Sequence, residues 1–386
     1  MSFLAALPLL PLAGSASLLA LRRRERLLGP LAVGAMAVTF IVALVAAAAQ
    51  PTAAWPWGAG IELRLAATGP ARVVAPLVAF IAAPILLYAA AHQSEGVPRL
   101  LAWMCAFVGA MEVLVLAADL LTLLVGFELV AVCSWVLIAH DWRDPSDGRD
   151  AARAFLTVRF GDLALYLAAG LVFAATGSFA FEALTALPRP LLDVVALGVL
   201  VAAAAKSAQL PFSPWLFAAM AGPTPVSALL HSATMVSAGA YALMRLAPAF
   251  EPTGWFSPAV ALLGLATALA AGGVAALHPH VKKTLAASTS AQYGLVFLAV
   301  GAGSTAAAGA HLVAHAAFKA LLFLGAGVAI HAAGTKRLDR MGLGTALPRA
   351  AWLFAAGALA LAAVPPLGGA WTKEEIVRAA GETSPW

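Results

Sequence analysis

Charge is scarce in this sequence. Of 386 residues, only 11% are Asp, Glu, Lys or Arg, while 62% are apolar and the mean hydropathy is +0.92. A soluble domain of that length needs far more polar surface. Cysteine is nearly absent: Cys105 and Cys133 both fall inside apolar segments, separated by most of two of them. Two such thiols cannot hold an iron–sulfur cluster, and no Cys/His spacing matches a zinc site. No glycine-rich phosphate loop follows a strand, because no segment reads as a strand. No cofactor is therefore expected in this chain. Its chemistry must rest on ionisable side chains or on a partner.

What the sequence has instead is a succession of apolar blocks, each about 17–25 residues and able to cross a ~30 Å hydrocarbon layer as a helix. Helices are predicted near 2–21, 29–49, 73–92, 101–118, 119–139, 153–175, 192–217, 225–247, 258–277, 284–302, 306–333 and 348–366, with a short segment left to Trp386. The blocks are continuous runs rather than period-two alternations, which excludes a strand barrel. The expected fold is all-α, a polytopic transmembrane bundle of about 12–13 helices. The first block lacks a basic leader and is followed by Arg22, Arg23, Arg24 and Arg26, so it reads as a retained span.

Cations in the links set an expected orientation. If the Arg22–Arg26 link is cytoplasmic, every second link is too. Those links hold Arg99, Arg143, Arg149, Arg153, Lys282, Lys283, Lys336, Arg337, Arg340 and Arg349, against Arg64, Arg72 and Arg189 on the other side. The chain is thus expected in the inner cell membrane, surrounded by lipid, with its N-terminus on the non-cytoplasmic side. The net charge of +5 expresses topology, and a nucleic-acid partner is not expected.

Several charges remain deep in or beside apolar stretches: Glu112, Glu128, Arg159, Asp162, Lys206, His231, His311, His315, Lys319 and Lys373. An ionised group at the bilayer centre costs at least about 2.5–3.5 kcal/mol on the mildest scale. Such residues pair, face a wet cavity or become neutral. A chain of them is what a proton relay requires. Arg245 lies near a helix end where it can snorkel, and Arg378 lies in the polar tail; both read as structural. Glu128 stands alone in Leu-Val-Gly-Phe-Glu-Leu-Val-Ala. Arg159 and Asp162, three apart, share a helix face and could pair with each other.

Lys206 closes an apolar helix and is followed by Ser207-Ala-Gln-Leu-Pro211-Phe-Ser-Pro214. The prolines remove backbone donors and break the helix within the membrane, which is tolerated only where the freed groups face protein or water. Gly222-Pro223-Thr224-Pro225 then opens a helix carrying His231, either a core hydrogen-bonder or a relay group. His311, His315 and Lys319 stack on one face at intervals of four, over about 12 Å. Imidazole can take a proton on one nitrogen while releasing one from the other. A metal site is a weaker reading, because no carboxylate accompanies the pair and Lys319 would repel a cation. Lys373 follows a second break at Pro365-Pro366-Leu-Gly368-Gly369. Two breaks, each near a lysine, suggest an internal repeat. Residues 1–98 would supply three N-terminal helices, 99–247 a first unit and 255–386 a second.

Residues 114–138, with Gly-Phe-Glu and Cys-Ser-Trp-Val-Leu-Ile, resemble the glutamate-bearing helix of the antiporter-like subunits of respiratory complex I. Lys206-Ser-Ala-Gln-Leu-Pro and Ala219-Met-Ala-Gly-Pro-Thr-Pro-Val-Ser-Ala-Leu-Leu-His resemble the same family's most diagnostic stretch. Lys282-Lys-Thr-Leu-Ala-Ala-Ser-Thr-Ser-Ala-Gln-Tyr-Gly and His311-Leu-Val-Ala-His-Ala-Ala-Phe-Lys extend the likeness over roughly residues 100–380. The best fit is the subunit L type of NADH–quinone oxidoreductase. The resemblance implies two inverted repeats of five helices and proton translocation by a non-redox subunit among other membrane subunits. It implies that Glu128 and Lys206 form the first half-channel pair. Lys319 with His311 and His315 would be the central link, Lys373 the exit, and Arg159, Asp162 and His231 supporting groups.

The pattern departs from the family in three places. The usual Trp-Glu-Gly is Phe127-Glu128-Leu129. An acid often found before the central lysine is replaced around His278–His280. The second repeat is expected to be incomplete, ending soon after Lys373 without its last helix or a lateral strap helix. Within the superfamily, a Na⁺/H⁺ antiporter, a membrane hydrogenase or a proton-coupled inorganic-carbon uptake complex would use the same residues. A non-conducting structural subunit is the alternative of another class.

Overall fold

The computed structural model describes residues 3–58, 61–342 and 344–383. Its helices are α1 (Ala6–Ala20), α2 (Glu25–Ala49), then, after a hairpin of β1 (Thr52–Gly58) and β2 (Ile61–Ala66), α3 (Ala71–His92) and α4 (Val97–Leu116). There follow α5 (Leu120–Ile138), α6 (Pro145–Thr176), α7 (Arg189–Lys206), the short α8 (Pro214–Ala218), α9 (Thr224–Ser232) and α10 (Met235–Phe250). The remainder is α11 (Phe256–Leu277), α12 (Val281–Gly301), α13 (Thr305–Ala333), α14 (Pro348–Leu361) and α15 (Gly368–Thr383).

Every predicted apolar block contains a helix, although 192–217 is interrupted between Lys206 and Pro214, 348–366 is helical only to Leu361, and residue 2 of the first block lies outside the described residues. Among the described residues, nine helical segments are long and apolar enough to span a membrane. Of the remaining blocks, α7 carries Arg189, Asp193 and Lys206, and α12 carries Lys282, Lys283 and a Ser-Thr-Ser-Ala-Gln run. α14 is cut short by its break.

One expectation fails. The α2–α3 link holds an antiparallel hairpin, with Thr52 opposite Ala66 and Trp55 opposite Leu63, and a register shift between Pro56 and Gly58. Ile61-Glu-Leu-Arg-Leu alternates with period two, the signature of a half-covered strand. The run is short, so it was masked by the longer apolar blocks beside it. The hairpin clips the α4–α5 corner: Arg64 N donates to Asp119 Oδ2 at 2.7 Å, and Ala118 N to Arg64 O at 2.9 Å. Asp119 also caps α5, accepting from Thr122 N at 2.7 Å.

Small residues let the helices close up. A Cβ on Gly264 would lie 2.4 Å from Gly294 O, so α11 and α12 touch backbone to backbone. The burial pattern is that of a membrane protein. Leu156, Phe160, Leu163 and Leu167 on α6, and Leu262 and Leu269 on α11, face outward, while Glu112, Asp162, Lys206, His231, His311, His315 and Lys319 are buried.

Candidate functional site

The site begins where α5, α6 and α7 meet. Gly161 on α6 leaves no room for a side chain: a Cβ there would sit 2.2 Å from Ala205 Cβ. That close approach brings Asp162 against Lys206. Lys206 Nζ lies 2.7 Å from Asp162 Oδ2 and 3.0 Å from Phe127 O, with both side chains fully buried. The ammonium also stands 4.8 Å over the Phe127 ring. Beside this pair, Arg159 Nη1 forms an ion pair with Glu128 Oε2, and both are partly exposed on the outer face.

Two expectations are corrected here. Arg159 and Asp162 share a helix face but do not pair with each other; each reaches across to a different helix. Nor does Lys206 pair with Glu128. Its counter-ion is Asp162, across the close contact of α7 with α6, and towards α5 it meets Phe127 through the carbonyl and the ring. The two ion pairs adjoin through Phe127 and Glu128, which are consecutive residues.

The break after Lys206 is held by hydrogen bonds, with Gln209 Oε1 the atom left unpartnered among those of its buried side chains described. Ala208 takes φ +50°, and Leu210–Pro211 is cis. Trp215 Nε1 donates to Ala205 O at 2.8 Å, Ser290 Oγ to Ala208 O at 2.6 Å, and Gln209 Nε2 to Ser207 O at 2.8 Å. Side chains thereby satisfy the Ala205, Ser207 and Ala208 carbonyls at the break. The same backbone pattern recurs at the second break. Ser207 N→Ala203 O, Ala208 N→Ala205 O and Gln209 N→Ala204 O are matched by Ala362 N→Ala358 O, Ala363 N→Ala360 O and Val364 N→Leu359 O. Ala363 has φ +63°, and Pro365–Pro366 is cis. Lys206 precedes its break, whereas Lys373 follows its own and donates to Leu361 O, the last residue of α14, at 2.6 Å.

α12 runs between the two breaks and links them. Its Ser290 bonds the first break, and Gln209 Nε2 also reaches Ser290 O at 3.3 Å. Its Gln292 Oε1 lies 3.1 Å from His311 Nε2, and His311 Nδ1 lies 2.8 Å from Thr372 Oγ1, next to Lys373. Its Ser288 accepts from Lys319 Nζ, which also donates to Leu285 O at 3.0 Å. His315 is buried against Tyr293 at 4.7 Å and Phe318 at 5.3 Å. His231 is buried against Phe323 at 4.9 Å, and neither of its ring nitrogens has a hydrogen-bond partner among the described residues. The His311–His315–Lys319 stripe therefore forms as spaced. Its partners come from α12 and α15.

Sequence reasoning gave no role to Gln209, Ser288, Ser290, Gln292 or Thr372. The signal was there: a Ser-Thr-Ser-Ala-Gln run inside an otherwise apolar helix. Lys282 stands among the link cations, at the second position of α12. It is buried, with Nζ 2.8 Å from Met220 O and 2.6 Å from Gly222 O, the carbonyls freed where α8 gives way to α9. It lines a cavity of about 770 Å³ with Glu95, Arg99, His140, Asp147 and Lys336. At the neighbouring corner His280 caps α12, accepting from Lys283 N. Burial, with Lys336 and Lys283 nearby, pushes that imidazole down to about 4, so it stays a neutral acceptor.

Comparison with known proteins identifies the family and the fold. Residues 117–386 match the family described as "NADH:quinone oxidoreductase/Mrp antiporter, TM". The chain is 37% identical over 342 residues to NADH-quinone oxidoreductase subunit L of Escherichia coli, covering 84% of this chain and 56% of that protein. It is 36% identical over 335 residues to NAD(P)H-quinone oxidoreductase chain 5 of Picosynechococcus, covering 80% and 50%. The chain thus spans about half the length of the curated relatives it matches. Among solved structures, a chain of the Mrp complex from Dietzia superposes with a TM-score of 0.88 at 31% identity, covering 99% of this chain and 44% of that one. A chain of respiratory complex I from Thermus thermophilus shares the fold, with a TM-score of 0.87 at 24% identity, covering 99% and 83%. With its broken helices and buried charges, this multi-pass membrane chain belongs to the NADH:quinone oxidoreductase/Mrp antiporter transmembrane family.

Proposed function

We propose that this chain moves protons across the inner cell membrane as a non-redox subunit of an NADH–quinone oxidoreductase (complex I) type pump, with its N-terminus on the non-cytoplasmic side. The observation that carries the reading is the Asp162–Lys206 pair, fully buried at 2.7 Å beside a broken helix. A buried ion pair is a weak source of stability, and apolar residues could replace it at little cost. Ionisable groups within a membrane are by default functional.

In this reading the Glu128–Arg159 pair is the sensing end. It lies at mid-helix on the outer face, where a neighbouring subunit can change the local charge. Drawing Arg159 towards or away from Glu128 changes the field at Asp162, three residues along α6. Lys206 then holds its proton tightly while Asp162 is ionised beside it, and gives it up when that compensation weakens. The proton passes along the polar face of α12 to His311 and Lys319 and leaves by Lys373, with water supplying the links between side chains. The buried imidazoles of His231 and His315 accept and return a proton along the way. The recurring break supports two related units, 99–247 and 255–386, preceded by an N-terminal group of helices at 1–98.

The test is Lys206→Ala in the assembled complex, with proton uptake measured in sealed vesicles. Pumping should be abolished while membrane insertion and assembly are unchanged. Normal pumping would remove Lys206 from the mechanism and this function with it. The likeness to the Mrp complex keeps cation/proton antiport as the second reading. Gentle purification of the tagged chain separates the two: flavin and iron–sulfur subunits indicate the redox pump, small antiporter subunits the exchanger.

A further inference from the structure

His311 is fully buried on α13, and both of its ring nitrogens have partners. Nε2 lies 3.1 Å from Gln292 Oε1 on α12, and Nδ1 lies 2.8 Å from Thr372 Oγ1 on α15. An amide oxygen only accepts, so in the neutral ring the hydrogen sits on Nε2 and Nδ1 is left as an acceptor. Thr372 must then supply the hydrogen of the second bond. The same hydroxyl has another acceptor in reach, Gly368 O at 3.1 Å, one turn back at the start of α15. One hydrogen faces two acceptors and serves one at a time.

The two orientations suit different charge states of the ring. With the hydroxyl turned to Nδ1, the neutral imidazole is satisfied at both nitrogens and its last lone pair is occupied. With the hydroxyl turned to Gly368 O, that lone pair is open to a proton, and the threonine oxygen is placed to accept from the N–H that results. A hydrogen bond from a cation is roughly twice as strong as one between neutral groups, so the second orientation favours the imidazolium. No carboxylate bonds to the ring among the described residues. Gln292 is neutral, and the titratable groups beside the ring are His315 on its own helix, 6.4 Å between ring centres, and Lys373, the residue after Thr372.

We propose that Thr372 is the positioning residue for the His311 proton, a two-way hydroxyl that closes Nδ1 in the neutral ring and holds the N–H of the charged one. The hydroxyl turns to Gly368 O, the proton carried along the path forms a bond to Nδ1, and the new N–H donates to Thr372 Oγ1. When that proton leaves, the hydroxyl turns back; no bond of the threonine is made or broken. This rests on the proton-transport reading above, and the experiment keeps the two apart.

In the native membrane complex, Thr372→Val keeps the shape of the side chain and removes the hydroxyl. Proton transport should fall by about fivefold or more, and its pH profile should move to lower pH by about one unit, because the charged ring loses more than the neutral one. Thr372→Ser, which keeps the hydroxyl, should restore both. A slower rate with an unmoved profile makes Thr372 a packing residue and overturns the proposal. If Lys206→Ala is inactive while Thr372→Val pumps at the full rate with the wild-type profile, the proposal falls and the proton path stands. If Lys206→Ala itself pumps normally, both inferences fall. Should Thr372→Val not assemble, Thr372→Ala takes its place with the same expectations. In the wild type, infrared bands of a histidine ring should pass between neutral and charged forms during turnover and be lost in His311→Gln. The absence of any turnover-dependent histidine band overturns the proposal whatever the variants do.

Discussion

Lys206 and Asp162 illustrate how little a buried ion pair has to do with stability. Asp162→Asn leaves an ammonium in an apolar interior without its counter-charge. Breaking such a pair costs about 3–5 kcal/mol, so the thermal unfolding midpoint of the detergent-solubilised protein should fall. Replacing both partners, as in Asp162→Leu with Lys206→Met, removes the uncompensated charge and should recover most of that loss. Proton transport should stay abolished in the double variant. A double variant that is stable yet pumps would assign the pair to structure alone. The positions of these charges were legible in the sequence because charge is conspicuous in an apolar run. Their pairing was not: Asp162 lies far from Lys206 in the chain, and the spacing to Arg159 suggested the wrong partner.

At the scale of an element, the site depends on how closely α6 and α7 approach. Gly161 has Ala205 in the place a side chain would occupy, 2.2 Å away, whereas Gly170 on the same helix has open space. Gly161→Ala should therefore force the helices apart at an overpacking cost of about 1–3 kcal/mol. It should also lower transport by moving Lys206, next to Ala205. Gly170→Ala should be neutral or stabilise the helix by up to about 1 kcal/mol. Equal behaviour of the two variants, read by unfolding midpoint and vesicle transport, would remove α6–α7 contact from the account. The helix breaks themselves were legible, since Pro211, Pro214, Pro365 and Pro366 forbid a continuous helix. How α12 repairs the first break, through Ser290 on Ala208 O, was not.

At the scale of the whole molecule, the outer face of α5 and α6 is unusual. Arg159 remains 38% exposed in its ion pair with Glu128, in the midst of the outward-facing Leu156, Phe160 and Leu163. Hydrocarbon would charge at least about 2.5–3.5 kcal/mol for such an arginine, so this face should be covered by protein. The outward face of α11, with Leu262, Leu265 and Leu269, carries no such group. Single cysteines at Phe160 and Leu269 in the native membrane should behave differently. The first should crosslink to another subunit, and the second should react with a lipid-soluble thiol reagent instead. A Phe160 cysteine labelled only by the lipid reagent would leave Arg159 facing lipid and contradict the docking.

Composition and periodicity suffice to make this chain a bundle of membrane-crossing helices, to locate those helices, and to mark the residues too costly to be idle. Those properties follow from local composition and period, which the solvent reads segment by segment. Tertiary structure alone decided which charge neutralises which, that Lys282 is buried on freed carbonyls, and that α12 joins the two breaks. It also decided that the α2–α3 link closes as a hairpin over the α4–α5 corner. Pairing depends on how close two helices come, and that distance is set by small residues such as Gly161 and Ala205 meeting across a contact.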